Sequence, residues 1–333
     1  MKGKVKVKRK NAQLTIQSIL IALTLTMITI MGVLLYQRFK LTVDEYSVFN
    51  TEATVESVVD RVNSDLLDIR QIFNAANYNV IQEFDISSQE FAKQFGLLYE
   101  VNSDKIQSIA LYGKDGKLIT AEPVAVEKDN VSISEQDWYK NAEMSIENVH
   151  FSVPHIQNLY EDGLYRYHWV VSLSRYVDIN DGEIPGSGVL LVDMKYSVIE
   201  DVLKQINDSS EGIYYYMISR DGQMIYHPRK TEMARGLFEE NSLKASGYEE
   251  GTYEITTDGH KESVVVGNIA YTGWKVVGVV PDKIQTISIN KFRYYVIITI
   301  IFLIMMLLVV NKIVSGKISR PILNLNDSVK SYE

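Results

Sequence analysis

The 333-residue chain has no cysteine, so an exported domain in it would have no disulfides to hold it. Its five histidines, His150, His155, His168, His227 and His260, form no His-Glu-x-x-His pair or other zinc spacing. A phosphate loop is missing too: the stretch Gly-Glu-Ile-Pro-Gly-Ser-Gly at 182–188 lacks the lysine and the following helix. Asp178-Ile-Asn-Asp-Gly182 reads as a plain turn rather than a calcium loop. These absences leave no catalytic constellation and no metal site, and no cofactor is expected within the chain. Residues 1–40 hold no Asp or Glu, against eight Lys and Arg.

What is present is charge sorted by position. The chain is formally −8, residues 1–40 are +8 and residues 291–333 are +4, which leaves −20 for residues 41–290. Each basic stretch adjoins an apolar run. Leu14–Tyr36 is interrupted only by Gln17 and a few Ser and Thr, and Tyr294–Val310 carries no charge, Gly or Pro. Roughly 20 apolar residues cross a ~30 Å hydrocarbon core, and Lys291, Arg293 and Lys312 can snorkel to its faces. Gln37-Arg38-Phe39-Lys40 follows the first run with no small-residue cleavage site, so an uncleaved anchor is expected. The positive-inside rule then places both termini in the cytoplasm and the acidic middle outside, in a two-span protein of the cell membrane. A nucleic-acid-binding role for Lys2–Lys10 is set aside, because that segment adjoins a membrane span. A cysteine-free outer domain is compatible with a Gram-positive surface.

Within the middle, Val55, Val59, Val62, Leu66, Ile69, Phe73 and Ala76 fall at helical spacing, predicting a long spine helix that continues the first span and is able to line a dimer interface. Asp85–Asn102 reads as a further helix, with Phe91, Phe95 and Leu98 inward. The period then shortens. Ile109–Tyr112 and Leu118-Ile119 flank the turn Lys114-Asp-Gly116, and Tyr214–Ile218 and Met224–Tyr226 flank Arg220-Asp-Gly222; Asp-Gly between apolar runs signals a hairpin. The turn aspartates, Asp115 and Asp221, lie 106 residues apart, too far for a solenoid repeat. Apolar strands at Gly188–Val192 and Trp274–Val280 close each unit. The fold class is therefore α+β, with two related domains in tandem. Expected boundaries are 1–13 basic terminus, 14–36 first span, 37–103 spine and connecting helix, 104–196 first domain, 197–210 linking helix, 211–290 second domain, 291–312 second span and 313–333 tail.

The long helix, the hairpin, Asp137-Trp-Tyr139, a further hairpin, Gly188-Val-Leu-Leu-Val-Asp193 and a second smaller sheet domain, all between two spans, resemble a double Cache sensor, a tandem of PAS-like modules in bacterial receptors. Phe151-Ser-Val-Pro-His-Ile-Gln157, Leu173-Ser-Arg-Tyr-Val177, Gly188–Tyr196, Ser219–Pro228 and Tyr271–Pro281 resemble the YesM-like sensor histidine kinases. In the tail, Ile318, Ile322, Leu325, Val329 and Tyr332 form a heptad seam with Pro321 near its start. Arg320-Pro-Ile-x-x-Leu325 resembles the first helix of a HAMP linker, which implies that Pro321, Ile318, Ile322, Leu325 and Val329 transmit the signal to an output beyond Glu333. An amphipathic helix lying on the lipid surface is the other way to read the tail.

The resemblance places a ligand in the first domain. Trp138 and Tyr139 would form an aromatic wall and Asp193 would close the pocket, with Tyr112, Tyr165, Tyr167, His155 and Arg175 as further polar-tipped candidates. Trp138 is also read as partly a core residue, Asp193 as a cap on the helix near Ser197, and Arg175 as a partner of a surface carboxylate. Amino-acid sensors of this kind resemble Arg-x-Trp-Tyr here, and Gln136 stands where that arginine would be. A sugar or oligosaccharide is the ligand expected, taken directly or through a loaded binding protein. The function implied is the input half of a homodimeric two-component histidine kinase, a transferase whose ATP and Mg would sit in a missing domain and whose phosphoryl group would pass to a response regulator. The alternatives are the input region of a methyl-accepting chemotaxis receptor and a membrane-anchored surface binding protein without output.

Overall fold

A computed structural model describes residues 2–129, 131–144, 149–161, 164, 166–181, 184–210, 212–257 and 260–314. Pro321, Ile318, Ile322, Leu325, Val329 and Tyr165 lie outside the described residues. The chain divides into two compact units, 1–49 with 282–333, and 50–281.

The described part of the first unit is helical. It takes the beginning of α1 (Lys2–Asn74) and all of α7, which runs Asp282–Val314. Each holds a stretch long and apolar enough to cross a membrane, the second at Phe292–Val310 with mean hydropathy 2.5. Ile297, Ile301, Phe302, Met305 and Met306 all point outward, apolar surface suited to a hydrocarbon solvent. Phe39 stacks on Phe292 at 3.6 Å, and a Cβ on Gly32 would lie 2.9 Å from Ile300 Cδ1, so these helices touch.

The second unit holds the rest of α1 from Asn50, a π-helical turn at Ala75–Ile81 and two antiparallel sheets. After the turn comes α2 (Gln89–Val101), capped by Ser88, whose hydroxyl accepts from Phe91 N at 3.1 Å. It starts four residues later than the sequence pattern implies. Asp85 takes the Ser87 N–H and hydroxyl instead, making a local turn. Phe91 and Phe95 are buried as expected.

The first sheet is built from β1 (Ile106–Gly113), β2 (Leu118–Glu122), β3 (His150–Phe151), β4 (His155–Ile156), β5 (Trp169–Asp181) and β6 (Ile184–Lys195), with α3 (Asp137–Met144) against one face. Its order is β2-β1-β6-β5-β3, with β4 also on β5. Asp178–Asp181 belongs to β5 and is not the turn expected there; it pairs with Ile184–Ser187 of β6. After α4 (Ser197–Ser209), β7 (Tyr214–Ile218), β8 (Met224–Tyr226), β9 (Gly251–Thr257), β10 (His260–Asn268) and β11 (Lys275–Pro281) form the second sheet in the order β8-β7-β11-β10-β9. Two short helices, α5 (Lys230–Ala234) and α6 (Ser242–Ser246), stand between β8 and β9. Both Asp-Gly turns close hairpins, with φ of 74° at Gly116 and 86° at Gly222, a conformation glycine adopts without strain.

The spine helix buries its seam inside the protomer. Thr51, Val55, Val58, Val62, Leu66, Ile69, Phe73 and Ala76 are all covered, while Val59 is half-buried and stands against Gly267. The second sheet meets this seam at glycines. A Cβ on Gly278 would stand 2.6 Å from Thr51 Cγ2, and one on Gly267 would stand 2.7 Å from Val55 Cγ1. The seam of the spine helix thus packs on the chain's own second sheet.

Candidate functional site

Strand alternation sorts the first sheet into two faces. In the ladder, Ser108 pairs with Asp193 and Asp193 with Ser172, so these three share a face with Ala110, Tyr112, Val189, Leu191, Ser174 and Tyr176. A bulge between Ile106 and Ser108 sets this register and aims Ser108 at the acid. α3 covers the same face with Trp138, Tyr139 and Ala142, joined by Ile133, Leu159 and Tyr160.

Asp193 is 1% exposed although it carries a carboxylate. Its Oδ1 accepts from Ser172 Oγ at 2.5 Å and its Oδ2 from Ser108 Oγ at 2.9 Å. Gln157 Nε2 donates to the same Oδ2 and lies 2.7 Å from Ser108 Oγ. Every one of these donors is neutral. Among the described residues no Lys, Arg or His nitrogen lies within ion-pair distance of Asp193. His155 stands one step away. Its Nδ1 lies 3.0 Å from Val153 O, an atom that can only accept, and 3.2 Å from Ser152 Oγ, so Nδ1 carries a proton; its Nε2 lies 3.3 Å from Ser172 Oγ.

Tyr112 and Trp138 lie 5.4 Å apart between centroids, Trp138 and Tyr139 lie 5.7 Å apart, and the Tyr112 and Tyr160 hydroxyls are 3.0 Å apart. Burial pushes the Tyr112 phenol far above its ordinary range, with Tyr160, Glu127 and Asp193 adding to the rise. Burial raises Tyr160 as well, so both stay protonated and able to donate. Glu127 faces this pair from the segment that bridges to Tyr160; burial raises its carboxyl, and its Oε1 has no hydrogen-bond partner.

Of the candidates from sequence, Trp138, Tyr139, Tyr112, Asp193 and His155 are brought to one face. Tyr139 is largely committed to the fold, its hydroxyl donating to Gly113 O and Lys114 O at 3.1 Å. Arg175 is not with them. It pairs with Leu190, on the opposite face from Asp193, and its guanidinium lies over the Phe73 and Tyr78 rings at 5.6 Å. Tyr167 precedes β5 and is 77% exposed. Gln136 turns back to the preceding turn, donating to Ser132 O at 3.3 Å. Asp193 does not cap α4, which begins at Ser197 after Tyr196. Sequence reading missed Ser108, Gln157, Ser172, Tyr160 and Glu127; alternation from Asp193 across a known register would have found the two serines, and nothing local marks the other three. Among the described residues no group of three or more His, Cys, Asp or Glu is placed to hold a metal. A cleft of about 640 Å³ lies elsewhere, between α1 and α4, lined by Arg61, Asp65, Lys105 and Asp201 among others.

Comparison with known proteins gives a consistent picture. Residues 36–286 match the model of the Cache domain. The chain is 25% identical over 257 residues to the methyl-accepting chemotaxis protein TlpA of Bacillus subtilis, covering 75% of this chain and 36% of that protein. It is 23% identical over 310 residues to a probable methyl-accepting chemotaxis protein of Bacillus thuringiensis, covering 90% of this chain and 43% of the relative. The chain thus spans less than half the length of these relatives. Among solved structures, the ligand-binding domain of Mlp24 with asparagine superposes with a TM-score of 0.56 at 16% identity, covering 75% of this chain and 98% of that one. The ligand-binding domain of the Pseudomonas fluorescens chemoreceptor CtaA with L-serine gives 0.52 at 19% identity, covering 72% and 98%.

Proposed function

The chain belongs to the Cache domain family, and from that premise we propose that it is the input region of a bacterial membrane receptor that binds a small ammonium-bearing ligand on the first sheet. The carrying observation is Asp193: a carboxylate 1% exposed, held only by neutral donors, below an aromatic wall. An uncompensated buried charge costs several kcal/mol. A ligand ammonium removes that cost and gains charge-assisted hydrogen bonds. A sugar, expected from sequence, brings no charge to offset Asp193. The solved relatives named with asparagine and L-serine support an amino acid or amine, while Gln136 supplies no arginine grip for an α-carboxylate.

For the output, the relatives favour chemotaxis over the histidine kinase implied by the sequence resemblance, since both Bacillus proteins are methyl-accepting chemotaxis proteins. The two sheets act as tandem PAS-like modules on an outer surface, anchored by the spans in α1 and α7. These helices are the two covalent routes from the sheets to the membrane. Residues 313–333 would begin a linker of the HAMP kind, in a homodimer at a Gram-positive cell surface. Ligand binding can bias the receptor only by its differential affinity for two states, typically about 1–3 kcal/mol.

A thermal-shift screen of the full chain in lipid nanodiscs, against amino acids, amines and sugars, tests the assignment. A ligand at about 100-fold over its Kd adds about 2.7 kcal/mol. Stabilisation by ammonium-bearing compounds is the expected result, and stabilisation by sugars alone would refute the ammonium assignment.

A further inference from the structure

A second cradle lies on the second sheet and owes nothing to Asp193. Tyr214 and Tyr216 share a face of β7, and the His227 ring sits against both, at 5.7 and 5.5 Å between centroids. Phe238 stacks on His227 at 5.3 Å, and the Arg229 guanidinium lies 3.8 Å from the Phe238 centroid and 4.7 Å from that of Tyr214. The His227 side chain is 0% exposed. The Arg229 backbone N–H donates to His227 Nδ1 at 3.0 Å, so that nitrogen is the acceptor and the proton sits on Nε2. That Nε2–H is buried and has no hydrogen-bond partner.

What it faces is Glu240, whose Oε2 is 3.5 Å away and accepts the Tyr214 hydroxyl at 3.0 Å. Burial, with Glu240 adding, holds the Tyr214 and Tyr216 phenols far above their usual range, so both remain O–H donors. Glu240 is carried on neither sheet. It hangs from the connection between α5 and α6, which also carries Phe238 and the 74% exposed Leu237.

We propose that this cradle is a carboxylate-binding subsite, occupied here by the chain's own Glu240, and that it takes a small monocarboxylate when Glu240 withdraws. Phenol hydroxyls, an imidazole N–H and a nearby guanidinium are the groups a free carboxylate needs, and Phe238 supplies an apolar wall for a short carbon chain. The tethered glutamate fits imperfectly, because it satisfies Tyr214 and leaves His227 Nε2–H unmade. A carboxylate free of the chain can reach both. As a tethered competitor Glu240 acts at an effective concentration on the order of millimolar, so it masks the subsite from dilute ligand.

The test is equilibrium binding of radiolabelled acetate to the full chain in nanodiscs. Glu240→Ala should bind acetate at least tenfold more tightly than the native chain (a conversion of about 1.4 kcal/mol), and adding Tyr214→Phe with Tyr216→Phe should abolish the gain. Glu240→Gln, nearly isosteric, should also gain affinity and decides the matter if Glu240→Ala does not fold. A folded Glu240→Ala or Glu240→Gln that binds acetate no better than the native chain overturns the proposal, as does a gain that survives loss of both hydroxyls.

Discussion

The two sheets handle a buried acid in opposite ways. On the first, Asp193 stands in mid-strand on β6, locked by ladder pairs to Ser108 and Ser172, with neutral donors around it. On the second, Glu240 comes in from a connection and meets the Tyr214 hydroxyl of β7, with a guanidinium nearby. On the assignments proposed above, a carboxylate fixed in a strand cannot leave to shed its desolvation cost and would take its counter-charge from a ligand, whereas one on a connection can leave and would serve as a removable occupant.

That contrast can be strained from several sides. The largest effect is expected from Trp138→Ala, which empties a buried aromatic position on the first sheet and should cost about 3–5 kcal/mol in chemical denaturation; Trp138→Phe keeps most of the packing and is the variant to use for binding. Next comes Gly278→Ala. Its Cβ would stand 2.6 Å from Thr51 Cγ2, so overpacking between spine and second sheet should cost about 1–3 kcal/mol, lowering the melting temperature, while the first sheet's ligand affinity in calorimetry is unchanged. Tyr214→Phe removes one donor to Glu240 and should cost about 1 kcal/mol in the same denaturation assay.

The smallest effect concerns pH. Burial raises the Glu127 carboxyl above the usual glutamate range, offset in part by the Tyr112 hydroxyl. The charged form therefore costs stability above that raised pKa, and the cost fades as pH falls through it. Glu127→Gln should raise the melting temperature slightly at about pH 7 and leave it unchanged at about pH 4.

Periodicity revealed much of the fold. Both Asp-Gly hairpins, the helical spine, the helix after Ser197 and the closing strands follow from spacing and turn chemistry, because those signals are local. The use of the spine was not legible. Val55 and Thr51 are core because Gly267 and Gly278, more than 200 residues away, let the sheet approach, and no local pattern reports that. In the candidate site, motif resemblance singled out Trp138 and Asp193, which the fold brings to one face, but Arg175 falls on the other, because the face it takes depends on the register of β5 against β6. The burial of His227, just past β8, was not legible either, because it depends on Phe238 and Glu240 folding back from the connection after α5.

The most direct test of the central claim is a calorimetric titration of the first ammonium-bearing hit against the native chain and Asp193→Asn, both in nanodiscs. The substitution keeps shape and removes charge. Loss of one partner of a buried charge pair costs about 2–5 kcal/mol, so the account predicts that affinity falls about 30-fold or more while the melting temperature of the unliganded protein holds or rises. An affinity within about threefold of the native chain would show that Asp193 is not the ammonium anchor, since that is under 1 kcal/mol.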